Sequence, residues 1–367
     1  MPVKFQQYLA AVDIGGTKVT ASIANRDGIV AKVFQPVTKT GPMTAVPDQI
    51  DSLIGTVAAK CGITKGDIVA VGISTCSPFK RKSGKRVVVA PNLCGGLASE
   101  RGIIPNDWLE IPLEARLSGK YPRIVIENDC VAAVAAERLF GAGQGEDNLV
   151  YVTWSTGIGA GAVVDGRIIS GKDGNAPELA HFVMKENGPL CGCGKKGHLE
   201  ALSSGVAIAR DYGGGVSTED VFAAYRANEP RAMQVVGTAA RYFARGLSAI
   251  NAILDTRLIV IGGSVFNNHK DVLLPLVERN FLEESFPALV EGVEIKPSVL
   301  EDYLGDLAAL SLVMPENLIN AWKKTMPWSK APAAEVLQAV SDASVGATDM
   351  SDMPAAAENL QQKTTQS

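Results

Sequence analysis

The sequence predicts an α/β protein of two domains with a cleft between them. The chain has 367 residues, and a single hydrophobic core usually stops growing at about 250–300 residues. Short apolar runs typical of buried strands alternate with helical stretches. A strand–turn–strand pattern also occurs twice, near residues 9–24 and 160–169. Such a repeat predicts two similar halves, and a cleft between them would be the place for a ligand.

Composition excludes several classes of function. The chain has 35 Lys and Arg against 39 Asp and Glu, a formal net charge of −4, which argues against a nucleic-acid partner or a polybasic membrane surface. Apolar runs are far shorter than the ~20 residues that span a bilayer, and the N-terminus lacks an export signal, so we expect a cytoplasmic protein. Its six Cys are too scattered for a disulfide framework.

The first half is predicted to be rich in buried strands. Its apolar runs predict strands, and an Ala-rich stretch predicts one helix: strands at 9–14, 19–24, 68–74 and 123–127, and a helix at 131–139. The segment 25–28 (Asn-Arg-Asp-Gly) has the composition of a hairpin turn. We therefore place the N-terminal domain at residues 1–127.

The second half repeats this opening and then becomes helical. The pattern predicts strands at 148–154, 160–164, 167–169 and 258–261, and helices between 218 and 255. We place the C-terminal domain at residues 128–315. The remaining residues, 316–367, are rich in Ala, Ser, Asp, Gln and Thr and are predicted to be a weakly ordered extension with a short helix at 334–341.

Two glycine-rich turns are candidate phosphate sites. In the first hairpin, glycines let the backbone approach an anion closely, and a hydroxyl and a positive charge follow: Gly15, Gly16, Thr17 and Lys18. The second half has a similar cluster: Thr156, Gly157 and Gly159. Gly-Gly in a hairpin is often only a turn. Two such turns facing one cleft, however, could hold a polyphosphate from both sides.

Asp129 is a candidate general base. It follows a predicted strand and precedes a predicted helix, and ligands of α/β proteins bind at the carboxyl ends of strands. A carboxylate there can accept a proton from a substrate hydroxyl. The alternative is that Asp129 only caps the helix. The two roles are compatible.

Four residues form a candidate zinc site. The chain has only three His, and two of them flank a Cys-x-Cys sequence: His181, Cys191, Cys193 and His198. Two thiolates and two imidazoles complete a tetrahedral structural site and leave no position for water. The alternative is a pair of free thiols near a chance His. Polar residues nearby, Asn175, Glu178 and Glu200, suit a hydroxyl-rich ligand or a solvated loop rim equally well.

Taken together and in order, these motifs resemble the ROK family of repressors and sugar kinases. The resemblance extends from about residue 9 to 315, and the residues that carry it are Asp13-Ile14-Gly15-Gly16-Thr17-Lys18, Pro91-Asn92-Leu93, Glu127-Asn128-Asp129, Ser155-Thr156-Gly157-Ile158-Gly159, Glu178-Leu179-Ala180-His181, the Cys191–His198 knuckle with Leu199-Glu200, and Gly262-Gly263. The knuckle departs from the family, which usually has a third Cys where this chain has His198. The resemblance implies a two-domain ribonuclease H-like (actin-like ATPase) fold with an interdomain cleft and a zinc knuckle.

The resemblance also implies a role for each motif. Asp129 would be the general base, and the sugar hydroxyls would be held by Asn92, Asn128, Glu178, His181 and Glu200. The two turns would bind the phosphates of ATP, Gly262 and Gly263 would border the adenosine, and Asp13 would act near Mg²⁺. His181 would bind both zinc and sugar.

The expected activity is ATP-dependent phosphorylation of a hexose, glucose above all, at its 6-hydroxyl. N-acetylmannosamine or N-acetylglucosamine phosphorylation would use the same residues. A sugar-responsive regulator is less consistent with the sequence, because the first predicted strand begins near Leu9 and leaves no room for a preceding helix-turn-helix domain. Family resemblance alone implies a homodimer.

Overall fold

A computed structural model describes residues 7–97, 104–329 and 337–339 and confirms the α/β class. The strands are β1 (Tyr8–Ile14), β2 (Lys18–Asn25), β3 (Gly28–Pro36), β4 (Ile68–Thr75), β5 (Phe79–Lys82), β6 (Lys85–Val88), β7 (Ile124–Asn128), β8 (Leu149–Trp154), β9 (Ile158–Val164), β10 (Arg167–Ile168), β11 (Leu258–Gly262), β12 (Glu294–Pro297) and β13 (Leu337–Ala339).

Two sheets share one topology. A repeat was predicted, but the counterpart of the first hairpin, β1–β2, is β8–β9, whereas the predicted hairpin at 160–169 is β9–β10 and corresponds to β2–β3. The first sheet has the order β13-β3-β2-β1-β4-β7, and the second sheet has the order β10-β9-β8-β11-β12. In each, a three-stranded antiparallel meander is followed by two parallel strands. Parallel neighbours direct their carboxyl ends to the same edge of a sheet, and the polar residues that follow these strands meet there.

Helices cover both faces of the two sheets. They are α1 (Ala45–Lys60), α2 (Leu113–Leu117), α3 (Asp129–Phe140), α4 (Leu199–Ser203), α5 (Gly205–Tyr212), α6 (Thr218–Arg226), α7 (Pro230–Leu254), α8 (Ser264–Asn268), α9 (Lys270–Glu284), α10 (Leu304–Ser311) and α11 (Glu316–Thr325). None of the helices in the described residues combines the length and the apolar character that crossing a bilayer requires.

Helix α3 lies between the two sheets. Ala132 and Ala136 on one side pack with β1 and α10, whereas Ala133 and Val134 on the other side pack against β8 and β11. These small side chains allow a close approach. A Cβ on Gly161 of β9 would overlap the Cys130 backbone, so the helix sits directly on the strand there. The segment that carries Asp129 is therefore held from both sides.

The C-terminal part of the described chain differs from the prediction. Residues 316–329 were predicted to be weakly ordered, but α11 packs its Trp322 and the following Trp328 against Phe140 of α3, and both Trp side chains are buried. Helix α10, which lies within the predicted C-terminal domain of residues 128–315, packs on β1 and β4 of the first sheet. Apolar residues four positions apart on α11 are the sequence pattern that could have predicted this packed helix.

The short helix predicted at 334–341 is also wrong where it can be assessed. Residues 337–339 form β13, which extends the first sheet by pairing in parallel with β3. The sheet edge left open by β3 offers backbone groups that can pair with an added strand, and this overrides local helix propensity. The rest of the predicted extension, residues 330–336 and 340–367, lies outside the described residues.

Candidate active site

A polar cleft of about 610 Å³ lies at the carboxyl ends of β4, β7 and β8. It brings together residues of six separate sequence motifs. The predicted residues that line it are Gly16, Asn92, Asn128, Asp129, Thr156, Gly157, Gly159, Glu178, His181, Cys193 and Glu200. One cleft therefore combines both glycine-rich turns, the candidate base and part of the Cys/His cluster.

Asp129 is the first residue of α3, and Asn128 is the residue that caps the helix. The Asn128 Oδ1 atom accepts hydrogen bonds from the backbone N–H groups of Cys130 (2.9 Å) and Val131 (3.1 Å). The Asp129 carboxylate accepts a further one from Cys130 (2.8 Å) and remains accessible through the cleft. Because protein encloses it on most sides, burial raises the pKa of Asp129. A raised pKa suits a proton acceptor.

Three side chains form a hydrogen-bonded wall along the cleft. Ser77 Oγ accepts from Asn128 Nδ2 at 3.0 Å and donates to Glu178 Oε1 at 3.0 Å. Burial, together with the negative charges of Asp129 and Glu200, raises the pKa of Glu178, whereas the bond from Ser77 and nearby His181 oppose this shift. We name Ser77, Asn128 and Glu178 the polar wall.

Asn175 holds the loop that carries Glu178. Its side-chain amide donates to the Phe79 carbonyl at 2.9 Å and accepts from the Phe79 N–H at 2.7 Å. This pairing resembles a strand-to-strand bridge and ties the 170–178 loop to the β5–β6 hairpin. The loop that carries Glu178 of the polar wall is therefore held in place by the β5–β6 hairpin.

A second acidic group surrounds Asp13 at the end of β1. Burial, together with the negative charges of Asp129 and Asp306, raises the pKa of Asp13 to about 6, while Ser74 and Lys32 act in the opposite direction. Lys32 pairs with Asp306 at 2.6 Å. A carboxylate that shares its surroundings with other carboxylates can hold a hard divalent cation such as Mg²⁺.

The two glycine-rich turns occupy equivalent places in the two sheets. In the first, the Gly15 N–H donates to the Lys18 carbonyl at 3.0 Å, and the side chains of Thr17 and Lys18 are exposed. In the second, the Ser155 N–H donates to the Gly157 carbonyl at 2.9 Å. A Cβ on Gly157 would lie 2.8 Å from a Glu200 carboxylate oxygen, so glycine is needed for that close approach.

Gly262 and Gly263 lie at the end of β11, beside a second depression of about 570 Å³. The depression is lined by residues of α5, of α6 and of the start of α8, and it shares Thr156 with the cleft. Gly263 has a φ of +95°, and a Cβ there would lie 2.6 Å from the Trp154 carbonyl oxygen. The two glycines themselves border rather than line the depression, whereas the next residue, Ser264, lines it.

The predicted Cys/His set converges in space. One ligand atom from each of His181, Cys191, Cys193 and His198 lies within 4.8 Å of the others. Cys193 Sγ is 3.2 Å from His198 Nδ1, and Cys191 Sγ is 3.8 Å from His181 Nδ1. This donor set and spacing fit a tetrahedral zinc ion. His181 also lines the cleft, so the cluster adjoins the polar wall.

Three residues of the cleft region, Ser77, Lys32 and Asp306, were not predicted from the sequence. Ser77 follows the carboxyl end of β4, a position that the strand-end rule could have flagged. Lys32 and Asp306 carry no such signal, because they are 274 residues apart and meet only when α10 packs on the first sheet. The role of Asn175 as a clamp also depends on tertiary packing.

The model of the ROK family matches residues 9–316 of the chain. The chain belongs to the ROK family. Among curated relatives, this ROK protein is similar to a glucokinase of Thermotoga maritima, 29% identical over 83% of this chain and 96% of that protein. It is also similar to an N-acetylmannosamine kinase of Shigella flexneri, 31% identical over 75% of this chain and 89% of that protein.

A solved structure has the same fold. It is a ROK family glucokinase from Streptomyces griseus in complex with glucose and AMPPNP, with a TM-score of 0.63 and 25% sequence identity over 82% of this chain and 97% of that one. Family membership, predicted from the ordered motifs, is therefore confirmed.

Proposed function

We propose that this ROK protein is an ATP-dependent hexose kinase that phosphorylates glucose at its 6-hydroxyl. The observation that carries the proposal is that Asp129 shares one cleft with two glycine-rich turns and with the hydroxyl-binding groups of the polar wall. Relatives that match most of the chain are sugar kinases, which supports the same activity. Under this proposal, the two sheets and their helices form the two domains of an actin-like ATPase, with the cleft between them.

Asp129 accepts the proton of the 6-hydroxyl in the proposed reaction. As that proton leaves, a bond forms between the sugar oxygen and the γ-phosphorus of ATP. The bond from this phosphorus to the β–γ bridging oxygen breaks, and ADP departs with the electron pair. Asn92, Asn128, Glu178, His181 and Glu200 hold the remaining hydroxyls. Positioning supplies much of the rate enhancement, because phosphoryl transfer needs little covalent help from the protein.

The nucleotide is assigned to the other side of the cleft. The two turns, formed by Gly15, Gly16, Thr17 and Lys18 and by Thr156, Gly157 and Gly159, are proposed to bind the phosphates of ATP. The Gly15 N–H closes the first turn, so the phosphates would be bound by other backbone N–H groups of the turns and by the exposed side chains of Thr17 and Lys18. Gly262 and Gly263 border the depression proposed for adenosine. Asp13 is positioned to hold Mg²⁺, which when bound would offset the negative charge of the phosphate oxygens.

The Cys/His cluster is assigned to a structural zinc ion. His181, Cys191, Cys193 and His198 would fill all four positions, so the ion would support the cleft wall rather than take part in chemistry. His181 belongs to both the cluster and the cleft lining. Zinc would therefore fix the orientation of a sugar-binding imidazole.

N-acetylmannosamine is the second candidate substrate, and N-acetylglucosamine is related to it. The observation that favours this alternative is the 31% identity to an N-acetylmannosamine kinase. The candidate residues named above serve either sugar, and the difference depends on whether the cleft accommodates an acetamido group.

The test is a coupled assay of ADP release with Mg²⁺ and ATP over glucose, mannose, fructose, N-acetylglucosamine and N-acetylmannosamine. We expect turnover on glucose and a loss of about 10²–10⁴-fold in kcat for Asp129→Asn. The matched control is Asp165→Asn, an exposed turn residue with a φ of +49° that Asn adopts equally well. Sugar binding without turnover in the wild-type protein would instead support a non-catalytic regulator.

A further inference from the structure

Ser77 joins the two sides of the sugar cleft through a single hydroxyl. It follows the end of β4, is half-buried and lines the cleft. Its Oγ lies 3.0 Å from Asn128 Nδ2 at the end of β7 and 3.0 Å from Glu178 Oε1 on the loop opposite. Ser77 is thus the link between a strand end of the first sheet and the loop that carries Glu178.

The hydrogen bonds of the polar wall run in one direction. Asn128 Oδ1 is already engaged by two backbone N–H groups of α3, so only the amide N–H groups of Asn128 face the cleft. One of them donates to Ser77. Ser77 keeps its single hydroxyl proton and donates it to Glu178 Oε1, which accepts. The order of donation is therefore Asn128 to Ser77 to Glu178.

This order leaves a defined set of groups for a ligand. One N–H of Asn128 remains as a donor, and the second carboxylate oxygen of Glu178 remains as an acceptor. The Ser77 hydroxyl orients both side chains, because it is bonded to the other N–H of Asn128 and to the first carboxylate oxygen of Glu178. A pair of neighbouring hydroxyls, one accepting and one donating, complements this arrangement.

We propose that Ser77 is a positioning residue for the sugar, which sets the cleft to bind two neighbouring free hydroxyls through Asn128 and Glu178. This inference rests on the proposed sugar kinase function and deepens it. Without the Ser77 hydroxyl, the Glu178 carboxylate loses the donor that orients it. The link between the end of β7 and the loop that carries Glu178 is lost as well. The sugar should then bind more weakly, while ATP should be unaffected.

The first test is a comparison of Ser77→Ala, Ser77→Thr and wild type. We expect Ser77→Ala to raise the KM for the sugar about tenfold, the effect of one hydrogen bond to a charged group, with the KM for ATP changed less than twofold. Ser77→Thr keeps the hydroxyl and should restore the sugar KM to within about threefold. Ser248→Ala, which removes a hydroxyl bonded to the Glu284 carbonyl on α9, is the control and should leave both constants unchanged.

The second test uses the 2-, 3- and 4-deoxy analogues of the preferred sugar. In the wild type, removing a hydroxyl that Glu178 or Asn128 binds should lower kcat/KM. In Ser77→Ala, that loss should shrink at least threefold for the same analogue and stay constant for the others. Equal losses in both proteins for every analogue, or an unchanged sugar KM, would overturn the role of Ser77.

Failure of the proposed kinase function can be told apart from failure of the proposed role of Ser77. If the wild-type protein turns over none of the sugars, calorimetric titration of wild type and Ser77→Ala with each sugar still decides the inference. Tenfold weaker binding by the variant supports it, and equal binding refutes it. If the wild-type protein binds no sugar at all, the kinase proposal and this inference fail together.

Discussion

Truncating Trp322 tests whether the segment 316–329 is an integral part of the fold. The side chain is fully buried, and its Nε1–H donates to the Asn25 carbonyl at 3.0 Å. Its ring centroid lies 6.2 Å from that of Phe140 and 5.9 Å from that of Trp328. Helix α11 is therefore connected to the far end of α3, whose first residue is Asp129.

The expected cost follows from these contacts. Truncation of a buried aromatic side chain to Ala removes about 3–5 kcal/mol. Leaving the Asn25 carbonyl without its partner places the loss at the upper end of this range, since Asn25 is itself buried. We expect Trp322→Ala to lower the free energy of unfolding by about 4–5 kcal/mol, a large share of the 5–15 kcal/mol typical of native proteins.

The assay is urea denaturation followed by circular dichroism at 222 nm, which does not depend on the removed Trp. Lys323→Ala, at the neighbouring exposed position of α11, is the control and should change stability by less than about 0.5 kcal/mol. A loss below about 1 kcal/mol for Trp322→Ala would refute the docking of α11. Sugar kinase activity of the folded variant at low temperature should persist, because Trp322 lies outside the cleft.

Three further predictions concern the base, the metal and a buried carboxylate. As the proposed general base, Asp129 would have to be ionised to accept a proton, and burial raises its pKa. We therefore expect kcat/KM to fall on acidification through a midpoint above the usual Asp value of about 4; a midpoint below that value would argue against this base. If the proposed zinc site is right, elemental analysis should find zinc in the wild-type protein and none in Cys193→Ser, and this variant should have a Tm lower by about 5 °C or more, whereas Cys61→Ser, outside the cluster, should change neither. Glu137→Ala should lower the free energy of unfolding, measured by urea denaturation, by about 2–4 kcal/mol, because the buried Ser298 hydroxyl and the half-buried Ala142 N–H lose their acceptor; the exposed Glu278→Ala is the neutral control.

Local patterns explain how much of the fold could be predicted. The two hairpins, the strands that follow them and α3 were each predicted within a few residues, because alternation and helical spacing are properties of neighbouring positions. The ordered structure of residues 316–329 was not predicted, because it does not follow from neighbouring positions alone. The composition of this segment is polar, and the burial of Trp322 and Trp328 depends on a surface that α3 provides from elsewhere in the chain.

In the candidate site, too, local motifs could be predicted from the sequence and contacts between distant residues could not. Residue type and spacing within the chain were enough to identify the two glycine-rich turns, the acid at the end of β7 and the Cys/His set, because each motif is contained in a segment of eighteen residues or fewer. Only the tertiary structure decided that Lys32 meets Asp306 across 274 residues, and that Ser77 meets Asn128 across 51 residues and Glu178 across 101. The raised pKa of Asp129 belongs with these contacts, since desolvation depends on everything that packs around a group and not on its neighbours in sequence.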